Sequence, residues 1–169
     1  MAFLGMTEFN NLNDLFVQQL EDLYDAEKRL TEALPKMAEA ACAPDLKSAF
    51  TEHLAQTRNH VARLEQVFNR IGQKPKRETC AAMKGLITEG EEMINARGDD
   101  SVRDAGLIAA AQRVEHYEMA GYGTVRNFAQ RLGLQDVAKT LQQTLDEEGE
   151  ADKKLTRIAE SSVNSQAMA

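Results

Sequence analysis

The sequence has no tryptophan, three prolines, two cysteines and only 5% aromatic residues among its 169 positions. Each scarcity excludes something. Cys42 and Cys80 stand far apart and share no metal-type spacing. Reduced thiols are the expected state, with a pairing left open. No apolar run approaches the eighteen or more residues of a membrane helix. The start, MAFLGMTEFNN, has neither the basic opening nor the apolar core of a signal peptide, so a cytoplasmic location is the default expectation. Bases are also short, 20 against 27 acids for a net charge of -7. A nucleic-acid partner would need a basic face, and the densest basic stretch, Lys74 to Arg77, is broken by Pro75. With prolines only at 35, 44 and 75 and alanine frequent, what remains is the profile of one all-helical domain.

Apolar residues recur at helical spacing in four long segments. The first runs from about residue 12 to 41, with Leu12, Phe16, Leu20, Leu23, Leu30 and Leu34 as its stripe. Asn11 or Asn13 can cap it, and Pro35 should kink it or begin its end. The second runs from 45 to 71, stopped by Gly72. The third runs from about 101 to 132, where "SVRD" resembles a capping box closed by Asp104. After a turn at Gly133 the fourth runs to about 160, leaving 161–169 as a flexible tail. Between the second and third lies a connection of about thirty residues, 72–100, holding a shorter helical pattern. Two tight antiparallel hairpins joined by one long crossover is the connectivity of a ferritin-like four-helix bundle. Dimerisation is expected through the apolar residues of the crossover helix, Met83, Leu86, Ile87 and Met93.

Within this frame, acids occupy stripe positions. In "RVEHYEMAGYG", residues 113 to 123, Glu115 and Glu118 keep the phase of Ile108, Ala111, Tyr122 and Val125. Glu27 does so in the first segment, His53 and His60 in the second, Glu148 and Asp152 in the fourth. Positions equidistant from a hairpin turn face each other. About the turn at Gly133, Glu118 falls opposite Glu148 and Glu115 opposite Asp152. About the turn near residue 43, Glu27 falls opposite His60, with Gln56 one turn away. Glu27 and His60 are as far apart in sequence as Glu115 and Glu148, so the two halves repeat one plan.

An isolated carboxylate in an apolar interior costs several kcal/mol even after relaxation. Five together (Glu27, Glu115, Glu118, Glu148, Asp152) also repel one another, and no Lys or Arg shares their inward positions. Two divalent cations offset nearly all of that charge. Carboxylates with one or two imidazoles suit iron or manganese better than zinc. The expected metal set is therefore Glu27, Gln56, His60, Glu115, Glu118, Glu148 and Asp152. Protonated, hydrogen-bonded acids are the competing solution. His53, two turns from His60, is expected to make a buried hydrogen bond instead of a metal bond. His116 reads as a surface or supporting partner, Glu147 and Glu150 as solvent-facing, and Tyr24, Tyr117 and Tyr122 as core. Gly121, Gly123 and Gly149 can permit close helix approach.

Four stretches, "DLYDAEKRL" (22–30), "EHLAQTRNHVARLEQVF" (52–68), "DAGLIAAAQRVEHYEMAGYGT" (104–124) and "LQQTLDEEGEADKKL" (141–155), resemble the YciE/YciF-type ferritin-like family over about residues 12–160. The resemblance implies a ferritin-like bundle, a dinuclear metal site and a link to bacterial stress responses. Gln56 departs from it by standing where relatives are expected to carry Glu, so one of the two iron (or manganese) positions is expected to be weaker or partly filled. Two functions follow. One is a redox protein that oxidises ferrous iron with oxygen or consumes peroxide. The other is a non-catalytic stress protein whose acids are protonated or merely neutralised by metal.

Overall fold

A computed structural model describes residues 8–168. The start of the chain, where no signal peptide is expected, and Ala169 of the expected tail lie outside them. Four long helices and one shorter one carry the fold: α1 (Leu12–Ala40), α2 (Pro44–Arg70), α3 (Ala81–Ile94), α4 (Asp100–Arg131) and α5 (Gln135–Ile158). Helices α1 and α2 pair in one hairpin, α4 and α5 in the other. Contacts of α1 with α4 and of α2 with α5 close the bundle, and α3 lies along α1 and α4. Among the described residues there is no strand, and no helix is long and apolar enough to cross a membrane.

The ends follow the chemistry read from the sequence, with two exceptions. The Asn11 side chain accepts from the amide of Asp14 and caps α1. Gly72 and Gly133 take φ of 68° and 78°, the left-handed conformation that ends α2 and α4 without steric cost. Pro35 does not end α1, which continues to Ala40. The capping box is the first exception. Asp99, not Ser101, caps α4, accepting from the amides of Ser101 and Val102. Asp104 is buried and turned toward the other hairpin, where it accepts from the amides of Cys42 (3.0 Å) and Ala43 (2.6 Å). Helix α2 starts at Ala43-Pro44 with no side-chain cap of its own, so Asp104 pins the α1–α2 turn to the head of α4. The second exception is the tail. The chain stays helical through a π turn (Ala159–Val163) and a last short helix, α6 (Asn164–Gln166), with Val163 buried.

The crossover helix turns its apolar side inward. Met83 is fully buried, and Leu86, Ile87 and Met93 pack on the core, so the face that motivated an expected dimer is already used. Gly121 permits Leu23 of α1 to pack directly on α4: a Cβ there would stand 2.7 Å from Cδ2 of Leu23. Gly123 has open space and Gly149 only an ordinary contact.

The core is divided. One apolar cluster, with Leu34, Leu46, Phe50, Leu107 and Leu155, surrounds the α1–α2 turn. A second, with Phe16, Leu20, Phe68, Val125 and Leu141, fills the end near Gly72 and Gly133. Between them each long helix contributes polar residues to a single level: Glu27, His53 with Thr57 and His60, Glu115 with Glu118, and Thr144 with Glu148, all buried.

Candidate metal centre

Each residue of this level is inward for the same reason as its apolar neighbours, since steps of three and four keep one helix face. The side chains meet as follows. Nδ1 of His60 lies 2.9 Å from Oε1 of Glu148 and 3.3 Å from Oε1 of Glu27, in neither case aligned as a hydrogen bond. Nε2 of His53 lies 3.3 Å from Glu115 and 3.6 Å from Glu148. The Tyr122 hydroxyl donates to Oε1 of Glu27 at 2.5 Å.

Both imidazoles are held from behind. Nε2 of His60 meets Oε2 of Glu147 at 2.8 Å, and Arg63 grips both oxygens of that carboxylate at 2.6 and 2.8 Å. Nδ1 of His53 meets Oε1 of Gln56 at 3.1 Å. In each ring one nitrogen is fixed to a helper and the other is aimed at the acids, the arrangement that sets the tautomer of a metal-binding histidine.

Burial and the neighbouring carboxylates Glu27, Glu148 and Glu115 hold the Glu118 carboxyl well above its usual range. Burial also raises Glu27 and Glu148, against the opposing pull of His60. For His60 burial favours the neutral ring, but Glu148 and Glu27 outweigh it and push the imidazole up to about 11. His53 is treated likewise by Glu115 and Glu148 and rises to about 9. Glu147 goes the other way: burial is overcome by Arg63 and His60, which lower it.

Among the described residues, ten buried side-chain polar atoms have no protein hydrogen-bond partner, and eight belong to this level. They are one oxygen each of Glu27 and Glu115, both of Glu118, both of Glu148, and the inward nitrogens of His53 and His60. Buried polar atoms are nearly always partnered, so such a concentration needs either bound cations or protons shared among the acids and rings. The six residues that carry them fall into two groups, Glu27 with His60 and Glu148, and His53 with Glu115, Glu118 and Glu148, one ligand atom from each residue lying within 4.8 Å of the others in its group. Glu148 belongs to both. Four carboxylates and two imidazoles fit a pair of iron or manganese ions by donor type.

Five of the seven residues expected from the sequence, Glu27, His60, Glu115, Glu118 and Glu148, come together here. Two do not. Gln56 lies behind His53 as its hydrogen-bond partner, because i,i+3 spacing on α2 puts its amide against the ring. Asp152 stands at the edge, 19% exposed, bound by Gln112 (3.0 Å) and close to His116 (3.3 Å). His53 of α2 fills the space beside Glu115 instead. His53 makes the buried hydrogen bond expected of it, to Gln56, and its ring also stands 6.3 Å by centroid from that of His60, nearer than the helical rise between their backbones suggests. Its inward phase was the available signal. Glu147, expected in solvent, is three-quarters buried against Arg63 and His60, and nothing local in the sequence marks it. His116 is exposed, as expected of a surface residue.

The pattern of the family described as a domain of unknown function, DUF892, matches residues 11–168. The chain belongs to the DUF892 family. It is 46% identical to YciF of Escherichia coli over 157 residues, 92% of this chain and 95% of that one. The crystal structure of that protein, described as a stress protein, superposes with a TM-score of 0.89 over 92% of this chain and 99% of its own. YcfI of Rhodopseudomonas palustris, 41% identical, follows at 0.85 over 92% and 98%. A Xanthomonas campestris protein, 21% identical, shares the fold at 0.73 over 94% and 97%. The resemblance drawn from the four sequence stretches is thereby confirmed, and the bundle is a DUF892 bundle throughout.

Proposed function

We propose that this chain binds two iron or manganese ions in the polar level of its bundle and serves, like the stress protein YciF it resembles, in a bacterial stress response. The supporting observation is the set of eight partnerless buried atoms in two groups that share Glu148. Glu27 and His60 would hold one ion, His53, Glu115 and Glu118 the other, and Glu148 both. When bound, such a pair supplies two one-electron steps, which is what reduction of peroxide to two waters consumes. The chain's own part is positional. Tyr122 orients Glu27, Glu147 and Gln56 fix the two rings, and the apolar clusters above and below keep bulk water out. Oxidation of ferrous iron or removal of peroxide is the reaction this arrangement favours.

Metal analysis tests the reading. The parent should hold about two ions per chain after anaerobic loading, and Glu118→Ala should lose them while keeping its helical circular dichroism. A parent that retains no iron or manganese would sink it.

One observation favours a second, non-catalytic reading. His53 and His60 are pushed toward their charged forms, and Glu118 toward its neutral one, so the level can balance much of its own charge. YcfI is provisionally described as a structural protein. Under this reading a metal-loaded protein would consume peroxide no faster than the free ion does.

A further inference from the structure

Glu27, His60, Glu118 and Glu148 are completely shut off from solvent, whereas His53 retains 6% exposure. That remnant belongs to a cleft of about 180 Å³ between α2 and α5, with His53 and Glu115 at its floor. That is room for several waters and for a partly dehydrated ion. Gln56 and Ala151 form its walls, and two acids and two bases, Glu52, Glu150, Lys154 and Arg157, its rim. Nζ of Lys154 meets Oε2 of Glu52 at 2.5 Å, so this ion pair ties α5 to α2 across the mouth. Both partners are well exposed, and an exposed pair is weak and screened by salt, which lets it open without disturbing the bundle.

Donors continue from rim to floor. Glu150, paired with Lys153, stands at the rim, and Gln56, whose amide oxygen also meets Nδ1 of His53, follows. At the bottom are the partnerless buried atoms Oε2 of Glu115 and Nε2 of His53. Hard divalent cations exchange their water for oxygen donors of this kind. We infer that this cleft is the channel by which a divalent cation passes from solvent to the polar level, with the Glu52–Lys154 pair as its gate. The inference rests on the metal reading of that level. It adds the route, the gate and a filling order in which every ion first meets His53 and Glu115.

The test is stopped-flow binding of cobalt(II) to the chelator-treated full chain, followed by its visible absorption. Ala151→Phe, which fills the cleft from a partly exposed position, should slow binding at least ten-fold while the number of ions finally bound stays the same. Lys154→Ala, a surface change that leaves the core intact, should speed it several-fold and weaken its dependence on salt. If Ala151→Phe fails to fold, Lys154→Ala decides alone, and an unchanged rate there overturns the gate and the channel together. A folded Ala151→Phe that fills at the parent's rate also overturns the channel, while the metal reading stands. A parent that binds no cobalt removes the metal reading and the inference with it.

Discussion

Stripped of metal, the protein should lose stability as pH rises through the neutral range, and the loss can be sized. His53 and His60 have folded-state values of about 9 and about 11, against an ordinary value of 6.5. A group raised in this way contributes stability that is complete below its unfolded value and lost as pH climbs through its folded one. Between about pH 7.5 and 8.5 the folded chain thus holds up to two protons that the unfolded chain has released. Each is worth about 1.4 kcal/mol per pH unit, so the slope is roughly 1.4 to 2.7 kcal/mol per unit. At about 2–4 °C per kcal/mol for a domain of this size, Tm should fall by roughly 3–11 °C for each unit. Glu118, held above its usual range by burial and its acidic neighbours, acts with the same sign. Glu147, held below its usual range by Arg63 and His60, has the opposite sign, but its window lies in acid and does not interfere.

Calorimetry in chelator at about pH 7 and 8.5 reads this slope. Manganese should reverse it, because bound metal replaces the same protons and binds more tightly as they leave. Growing negative charge on an already acidic chain would also lower Tm with pH. His53→Gln separates the two, since it removes one of the two protons and should cut the slope by about half, which surface repulsion would not. A metal-free Tm that stays flat or rises across this range would refute the protonation pattern assigned to the level.

Gln56→Glu gives His53 an anionic helper like that of His60 and should tighten the weaker ion about ten-fold by isothermal titration, the low end of such supporting effects. Asp152→Asn should leave metal content unchanged, because Asp152 is occupied by Gln112 and His116 at the edge. Asp104→Ala strips the amides of Cys42 and Ala43 of their acceptor and should cost about 2–4 kcal/mol in urea unfolding, with metal stoichiometry intact.

The bundle was legible because a stripe repeating in steps of three and four tells which face of each helix is buried, and four such stripes with two short turns leave few ways to pack. The same periodicity carried Glu27, His60, Glu115, Glu118 and Glu148 to one level. It failed where the outcome depends on where side-chain tips reach. Asp152 keeps the stripe in sequence, yet it ends at the edge with Gln112 while His53, from another helix, stands beside Glu115. Glu147 is a sequence neighbour of Glu148 on a different face and acquires its role only through Arg63, more than eighty residues away. Asp104 was misread for the same reason: its local pattern names a cap for its own helix, and the hairpin above supplies a better pair of donors.

The two halves repeat one plan in the acids and depart from it in the helpers. Glu147 backs His60 with a negative charge that Arg63 anchors, which raises the basicity of the inward nitrogen. Gln56 backs His53 with a neutral amide. His60 is sealed and backed by an anchored anion, whereas His53 has a neutral helper and sits at the floor of the cleft. On the metal reading, an ion entering through that cleft would meet the His53 group first and reach the His60 group past Glu148, common to both. On that reading the neutral helper Gln56 would mark the group nearer to solvent as the more exchangeable of the two.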